Sequence, residues 1–165
     1  MKNKKVMFIV LGILVLIVGI VGVVVFNILK EDSFDDKDKV YKENEMYVGT
    51  DFIITMSDVD TNYSAWHMNP DDQYKYILVK FEVKNKSKVN KLVGKYYFNG
   101  YVDGKKLNIS STNNTGLQDM ELQKELQHND ILEGYLVYQV PTNSNKLIIK
   151  FKKDAGKTVK FIVNY

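Results

Sequence analysis

The chain has 165 residues, with 23 Lys and no Arg, 20 acidic residues, two His and no Cys, for a formal net charge of +3. That length is one ordinary domain with little to spare. The missing Cys excludes disulfides, thiolate catalysis, Cys-ligated zinc and a lipid-modified Cys, and two His leave few players for nucleophilic or metal chemistry.

Residues 1–5 carry Lys2, Lys4 and Lys5 and form a short basic tail. Behind them, Val6 to Phe26 are 21 consecutive residues without a polar side chain, 17 of them Leu, Ile, Val or Phe. At about 1.5 Å per residue such a helix matches a hydrocarbon core of roughly 30 Å. Insertion is favoured by roughly 7 kcal/mol before the glycines are counted. A cleaved signal peptide would have a shorter apolar region ending at small residues, and no Ala precedes Ala65. Residues 6–29 are therefore predicted as one uncleaved transmembrane helix. Beyond it, Lys30 to Lys39 holds three Lys against five acids. The basic side stays in the cytoplasm, so the expected protein is single-pass in the cell membrane, N-terminus inside and C-terminal domain outside.

Residues 30–45 hold 11 charges in 16 positions and only three hydrophobic residues, Phe34, Val40 and Tyr41. A segment of that kind cannot bury enough surface to offset its ordering entropy, so a solvated linker is expected. Asp35, Asp36 and Asp38 lack the Gly and closing Glu of a calcium loop at the required offsets.

From residue 46 to 165 the composition turns to Thr, Val, Ile, Tyr and Phe, and the whole chain has two Ala. An early strand is predicted between Tyr47 and Val59. In Tyr76 to Asn85, Ile77, Val79, Phe81 and Val83 alternate with Leu78, Lys80, Glu82 and Lys84, the signature of a half-buried strand. Tyr96–Val102 and Leu107–Ile109 flank Asp103-Gly104, a hairpin signal. Leu117–Gln127 fits a strand by Met120, Leu122 and Leu126 and a helix by its Leu, Glu, Gln and Lys; we read it as strand. Tyr135–Val140 closes at Pro141, and Lys146–Lys152 and Val159–Asn164 repeat the alternation. The predicted class is all-β, an immunoglobulin-like β-sandwich of about seven or eight short strands, with a closed barrel as the alternative.

A strand ending in Asn85, an aromatic strand running into Asp103-Gly104, and Gly134 leading to Tyr138-Gln139-Val140-Pro141 carry a family resemblance. Over residues 46–165 the chain resembles an uncharacterised family of Gram-positive surface domains of unknown function. Its members are sometimes mislabelled as telomeric repeat-binding factors. The resemblance implies an immunoglobulin-like sandwich similar to the mycobacterial immunoprotective extracellular antigen, usually behind a lipoprotein signal or membrane anchor, and no transferable catalytic residue. A Pro-Gly turn is common before the position of Gly134; here His128-Asn129-Asp130 stands instead.

The candidate binding residues are few. Trp66 and His67 lie in the unusual segment Tyr63–Asp72 and can line a cleft, or His67 can join Asp71 at a metal; a loop closing the core is the plainer reading. Tyr135 and Tyr138 cluster in sequence pattern with Tyr96, Tyr97 and Tyr101, and exposed Tyr makes good carbohydrate or protein contacts. Lys146, Lys150 and Lys152 share one strand face and can meet anionic wall polymers or lipid headgroups. No nucleophile elbow and no Gly-rich phosphate loop occurs. The expected protein is not an enzyme, needs no cofactor or metal and binds no nucleic acid. It is a membrane-anchored extracellular domain that binds a protein or an anionic envelope polymer; the alternative is an accessory subunit of a transporter, secretion or sensor complex.

Overall fold

A computed structural model describes residues 39–65, 69–110 and 116–165, without the side chain of Lys153. The expected transmembrane helix, residues 6–29, lies outside them; among the described residues no helix is long and apolar enough to cross a membrane.

Twelve strands follow in chain order: β1 (Val40–Tyr41), β2 (Met46–Val48), β3 (Phe52–Tyr63), β4 (Tyr74–Asn85), β5 (Lys91–Val93), β6 (Phe98–Val102), β7 (Lys105–Lys106), β8 (Ile109–Ser110), β9 (Lys124–Leu126), β10 (Ile131–Pro141), β11 (Lys146–Asp154) and β12 (Lys157–Asn164). Ten of them form two five-stranded sheets, in the orders β1-β12-β11-β6-β7 and β2-β3-β4-β10-β8, while β5 and β9 pair at one end. The chain is an all-β, immunoglobulin-like sandwich.

The alternation of β4 places it. Ile77, Val79, Phe81 and Val83 are fully buried, and each such side chain removed from water contributes roughly 1.5–3 kcal/mol. Aromatic rings join the two sheets. Phe81 of β4 lies 4.4 Å from the Phe98 ring of β6 and 5.2 Å from Phe161 of β12, and Phe52 of β3 meets Phe151 of β11 at 5.5 Å. One core thus takes side chains from both sheets.

The turns follow from residues that tolerate left-handed backbone. Asp103 (φ 49°) and Gly104 (φ 76°) close the β6–β7 hairpin as expected. Ala155 (φ 50°) and Gly156 (φ 82°) close β11–β12 the same way. Two consecutive positive φ values match the right-handed twist of hairpin strands.

Several expected elements come out differently. The early strand is broken into β2 and β3, because the backbone of Thr50, Asp51 and Phe52 turns to donate to Asp154. The sandwich begins inside the segment expected as linker: Val40 and Tyr41 pair in parallel with Lys160 and Phe161, and the Tyr41 ring packs 5.9 Å from Phe161. Tyr96 falls in a 3-10 turn, Lys95–Tyr97, so β6 starts at Phe98. The chain then crosses sheets, β7 pairing with β6 and β8 with β10. In Leu117–Gln127 only Lys124–Leu126 is strand. Upstream, Met120 backs onto Gly134, where a Cβ would come within 2.5 Å of the Met120 Cα, and Asp119 bridges Tyr135 in parallel.

Candidate functional site

Strand pairing sorts the charges of the sandwich. The five strands of the β12–β11–β6 sheet contain eight Lys and a single acid, Asp154. The five strands of the other sheet contain three Lys and four acids. Phe151, Ile149 and Leu147 of β11 point into the core, so Lys146, Ile148, Lys150 and Lys152 take the outer face. Register carries that face across the sheet: Tyr101 of β6 stands beside Ile148 on one side and Lys106 of β7 on the other. Lys160 of β12 stands directly opposite Lys150.

The one acid of this sheet is turned away from the face. Asp154 is fully buried at the end of β11, and its carboxylate accepts from Tyr47 Oη at 2.5 Å and from the backbone N–H groups of Thr50 (2.8 Å), Asp51 (2.6 Å) and Phe52 (2.9 Å). Burial pushes its carboxyl upward, but these four donors outweigh it and hold the group below the ordinary range. Burial, then Asp154 itself, pushes the Tyr47 phenol up. Gly49 gives the clasp its room: a Cβ there would collide with the Asp154 carboxylate and the Tyr47 hydroxyl. Sequence reasoning missed this clasp, although a lone Asp in a Lys-rich strand just before Ala155-Gly156 was the available signal.

The structure divides the predicted binding residues. Lys146 and Lys152 are exposed, as a contact surface requires. Lys150 is not; only 4% of it is exposed, and its ammonium lies 4.4 Å over the Tyr101 ring. Buried to that extent, it offers little contact surface.

Tyr135 and Tyr138 do not form one patch. Three residues apart on β10, they project from opposite faces. Tyr135 is half-buried on the outer face of its sheet; its hydroxyl donates to Asp58 at 3.3 Å, and burial, then Asp58, pushes its phenol up. Tyr138 is a core residue with no exposed surface, against Gly100, where any Cβ would strike its ring at 2.5 Å. The other tyrosines of the cluster scatter too: Tyr96 is exposed, Tyr97 packs toward Phe151, and Tyr101 lies under Lys150.

Trp66 and His67 lie outside the described residues. Asp71, the residue that could have joined His67 at a metal, accepts from Gln139 Nε2 at 2.7 Å. His128 is exposed, and its Nδ1 lies 2.9 Å from the Ser87 carbonyl, tying the turn after β9 to the loop after β4. Among the described residues no three His, Asp or Glu side chains gather where a metal ion could be held.

The residues that carry the family resemblance have structural work. Asn85 is fully buried; its Nδ2 donates to the carbonyls of Val89 (3.0 Å) and Leu126 (2.9 Å), and its Oδ1 accepts from Ser87 N–H. Gly134 admits the backbone of Met120, and Tyr138 fills the core opposite Gly100.

An immunoglobulin-like sandwich with structural motifs of this kind defines a class of small β domains, and the sequence comparison makes the class specific. Residues 41–160 match the family described as a domain of unknown function, DUF4352, and the chain belongs to that family. Among curated proteins, none matches the sequence. Similar solved structures include the Bacillus subtilis protein ycdA, named as a lipoprotein, at 17% identity and a TM-score of 0.60 over 74% of this chain and 38% of that one. The chain therefore spans well under half of ycdA. The yjhA protein of Bacillus subtilis matches at 11% identity and a TM-score of 0.58, over 76% of this chain and 100% of its own. The secreted Mycobacterium tuberculosis protein MPT63 matches at 12% identity and a TM-score of 0.49, over 79% of this chain and 100% of its own. At these identities the likeness is one of fold.

Proposed function

We propose that the chain is a non-catalytic surface domain, held at the outer face of the cell membrane by residues 6–29, that engages an anionic envelope polymer through its basic sheet. The observation that carries the reading is the segregation of charge: eight Lys and one inward-turned acid on one sheet, three Lys and four acids on the other. A flat face of like-signed charge raises the local concentration of an opposite polymer and orients it, without any need for a pocket. Lys supplies point charges suited to a polymer of variable geometry, whereas the bidentate fork of Arg, which this chain lacks, suits one fixed anion. The single-pass placement draws on the apolar run Val6–Phe26 and the Lys asymmetry around it, and ycdA, named as a lipoprotein, is similar in fold.

The test uses the full chain in detergent micelles and purified Gram-positive envelope. Capture on the envelope should be strong at low salt and fall steeply towards about 0.5 M, where the Debye length drops to roughly 4 Å. Replacing the exposed Lys106, Lys146 and Lys152 with Gln should have the same effect at low salt. Capture indifferent to both would overturn the reading. Protease added to intact protoplasts should remove the domain; its protection there would overturn the topology.

A further inference from the structure

The basic sheet ends in a groove of about 840 Å³, at the margin where β1 and the start of β12 face the turn between β2 and β3. We propose that this groove is a subsite for an anionic saccharide unit of the polymer; the proposal rests on the polymer reading and names what one repeat of that polymer presents.

Four features of the lining carry it. Lys39, just before β1, and Lys157, the first residue of β12, bring two exposed ammonium groups to the groove from separate strands, and among the described residues none that lines it is acidic. The nearest buried carboxylate, Asp154, is already held by Tyr47 and three backbone N–H groups and faces the clasp. Thr50 and Thr158 add hydroxyls that can both donate and accept. Tyr41 adds an aromatic body, set edge-on to Tyr47 with ring centroids 5.4 Å apart and with Lys39 Nζ 4.6 Å from its own centroid.

The same geometry decides against a bare inorganic anion. Sites that grip a free phosphate use backbone N–H groups arranged as a concave nest. Here the N–H groups of Thr50, Asp51 and Phe52 are spent on Asp154, and that of Gly49 on the Phe52 carbonyl. What is left is two point charges, hydroxyls and an aromatic ring around a volume far larger than one phosphate. That volume lies in the range of roughly 300–1,000 Å³ typical of small-molecule sites. An anion carried on a bulky, hydroxylated body uses all of these features. The clasp behind the groove keeps Gly49 and Thr50 in place, so the wall is pre-formed.

The experiment titrates the full chain in detergent micelles with glucose 1-phosphate, glucuronate, glucose and inorganic phosphate, read by calorimetry and by amide chemical shifts. The two anionic sugars should saturate, with shifts centred on Gly49, Thr50, Lys157 and Thr158. Glucose and phosphate should each bind about tenfold more weakly or worse, and Lys39→Gln with Lys157→Gln should cost the anionic sugars about tenfold or more. Both Lys are exposed, so an unchanged melting temperature shows that the variant is folded. No saturation, shifts elsewhere, phosphate binding as tightly as glucose 1-phosphate, or an indifferent double variant would each overturn the proposal. The Lys106, Lys146 and Lys152 variant separates the two ideas. It should lose envelope capture and keep sugar binding. Loss of capture in that variant with no sugar binding in the wild type removes the groove and leaves the polymer reading. Sugar binding with capture indifferent to salt and to the face variant removes the polymer reading.

Discussion

The two sheets are alike on the inside and opposite on the outside. Each sends alternate apolar residues into one core, Phe81 and Val79 from β4 and Phe151 and Ile149 from β11. Outside, one carries almost only Lys and the other a balance of both signs, including the ion pair Lys80–Glu133 at 3.3 Å. Folding accounts for the inner faces, since register is set by which residues must be buried. The outer ones follow no such rule. Lys150 and Lys160 stand opposite each other across β11 and β12 but are each only 4% exposed, so the Lys that reach solvent on that face are others, such as Lys106, Lys146 and Lys152.

The largest expected effect tests the shared interior. Phe81→Ala should cost about 3–5 kcal/mol, because the ring is fully buried and touches rings from the opposite sheet. Lys80, the next residue on the same strand, points outward; Lys80→Ala should cost no more than about 1 kcal/mol, the range of exposed ion pairs. Denaturant melts of both variants check this, and equal losses would mean the two faces of β4 are not distinct.

A smaller loss is expected where the basic sheet is tied to the other. Asp154→Asn should cost about 2–4 kcal/mol, since the amide keeps one accepting oxygen and sets its NH2 against two of the four donors, without the charge. The pH dependence follows from the direction of its shift. The folded carboxyl lies below its unfolded value of about 4, so the stability it contributes is present above that pH and is lost as pH falls towards the folded value. Urea melts between about pH 6 and pH 3 should show the loss in the wild type and a flatter profile in Asp154→Asn. A wild type indifferent to acid over that window would contradict the clasp.

On binding, the comparison sharpens into a paired experiment. Gln at Lys106, Lys146 and Lys152 should weaken low-salt envelope capture about tenfold or more, while Gln at Lys75, Lys80 and Lys84 on the other sheet should change it less than about threefold. Each set removes three charges from the chain, so equal effects would mean that net charge, not placement, drives capture.

How far the sequence could be read also differs between inside and outside. The alternation of β4, β11 and β12 and the Asp103-Gly104 turn were legible because period two and left-handed turn residues are local signals. The break between β2 and β3 was not, since it is made by Asp154, more than 100 residues away. Lys150 points outward, as the alternation of β11 implies, yet is only 4% exposed, which a period-two pattern does not reveal; the ring under its ammonium arrives from β6. Asn85 and Gly134 were legible as family signatures but not as what they are, a buried clamp and a point of close backbone approach. For that reason the resemblance gave the fold and no site.

The smallest effect separates two tyrosines of one strand. Tyr138 and Tyr135 look alike in sequence, yet the hydroxyl of Tyr138 is buried with no hydrogen-bond partner among the described residues, whereas that of Tyr135 donates to Asp58 at the surface. A buried hydroxyl left unpaired carries a desolvation cost of about 1–3 kcal/mol, so Tyr138→Phe should raise stability by up to about 1 kcal/mol after some loss of packing is allowed for. Tyr135→Phe gives up a long, partly hydrated bond and should lower stability by about 0.5 kcal/mol or less. Opposite signs in matched denaturant melts are the expected result. A loss for Tyr138→Phe as large as 1 kcal/mol would show that its hydroxyl has found a partner, placing a polar contact inside the core where the packing of Gly100 and Ile77 shows none.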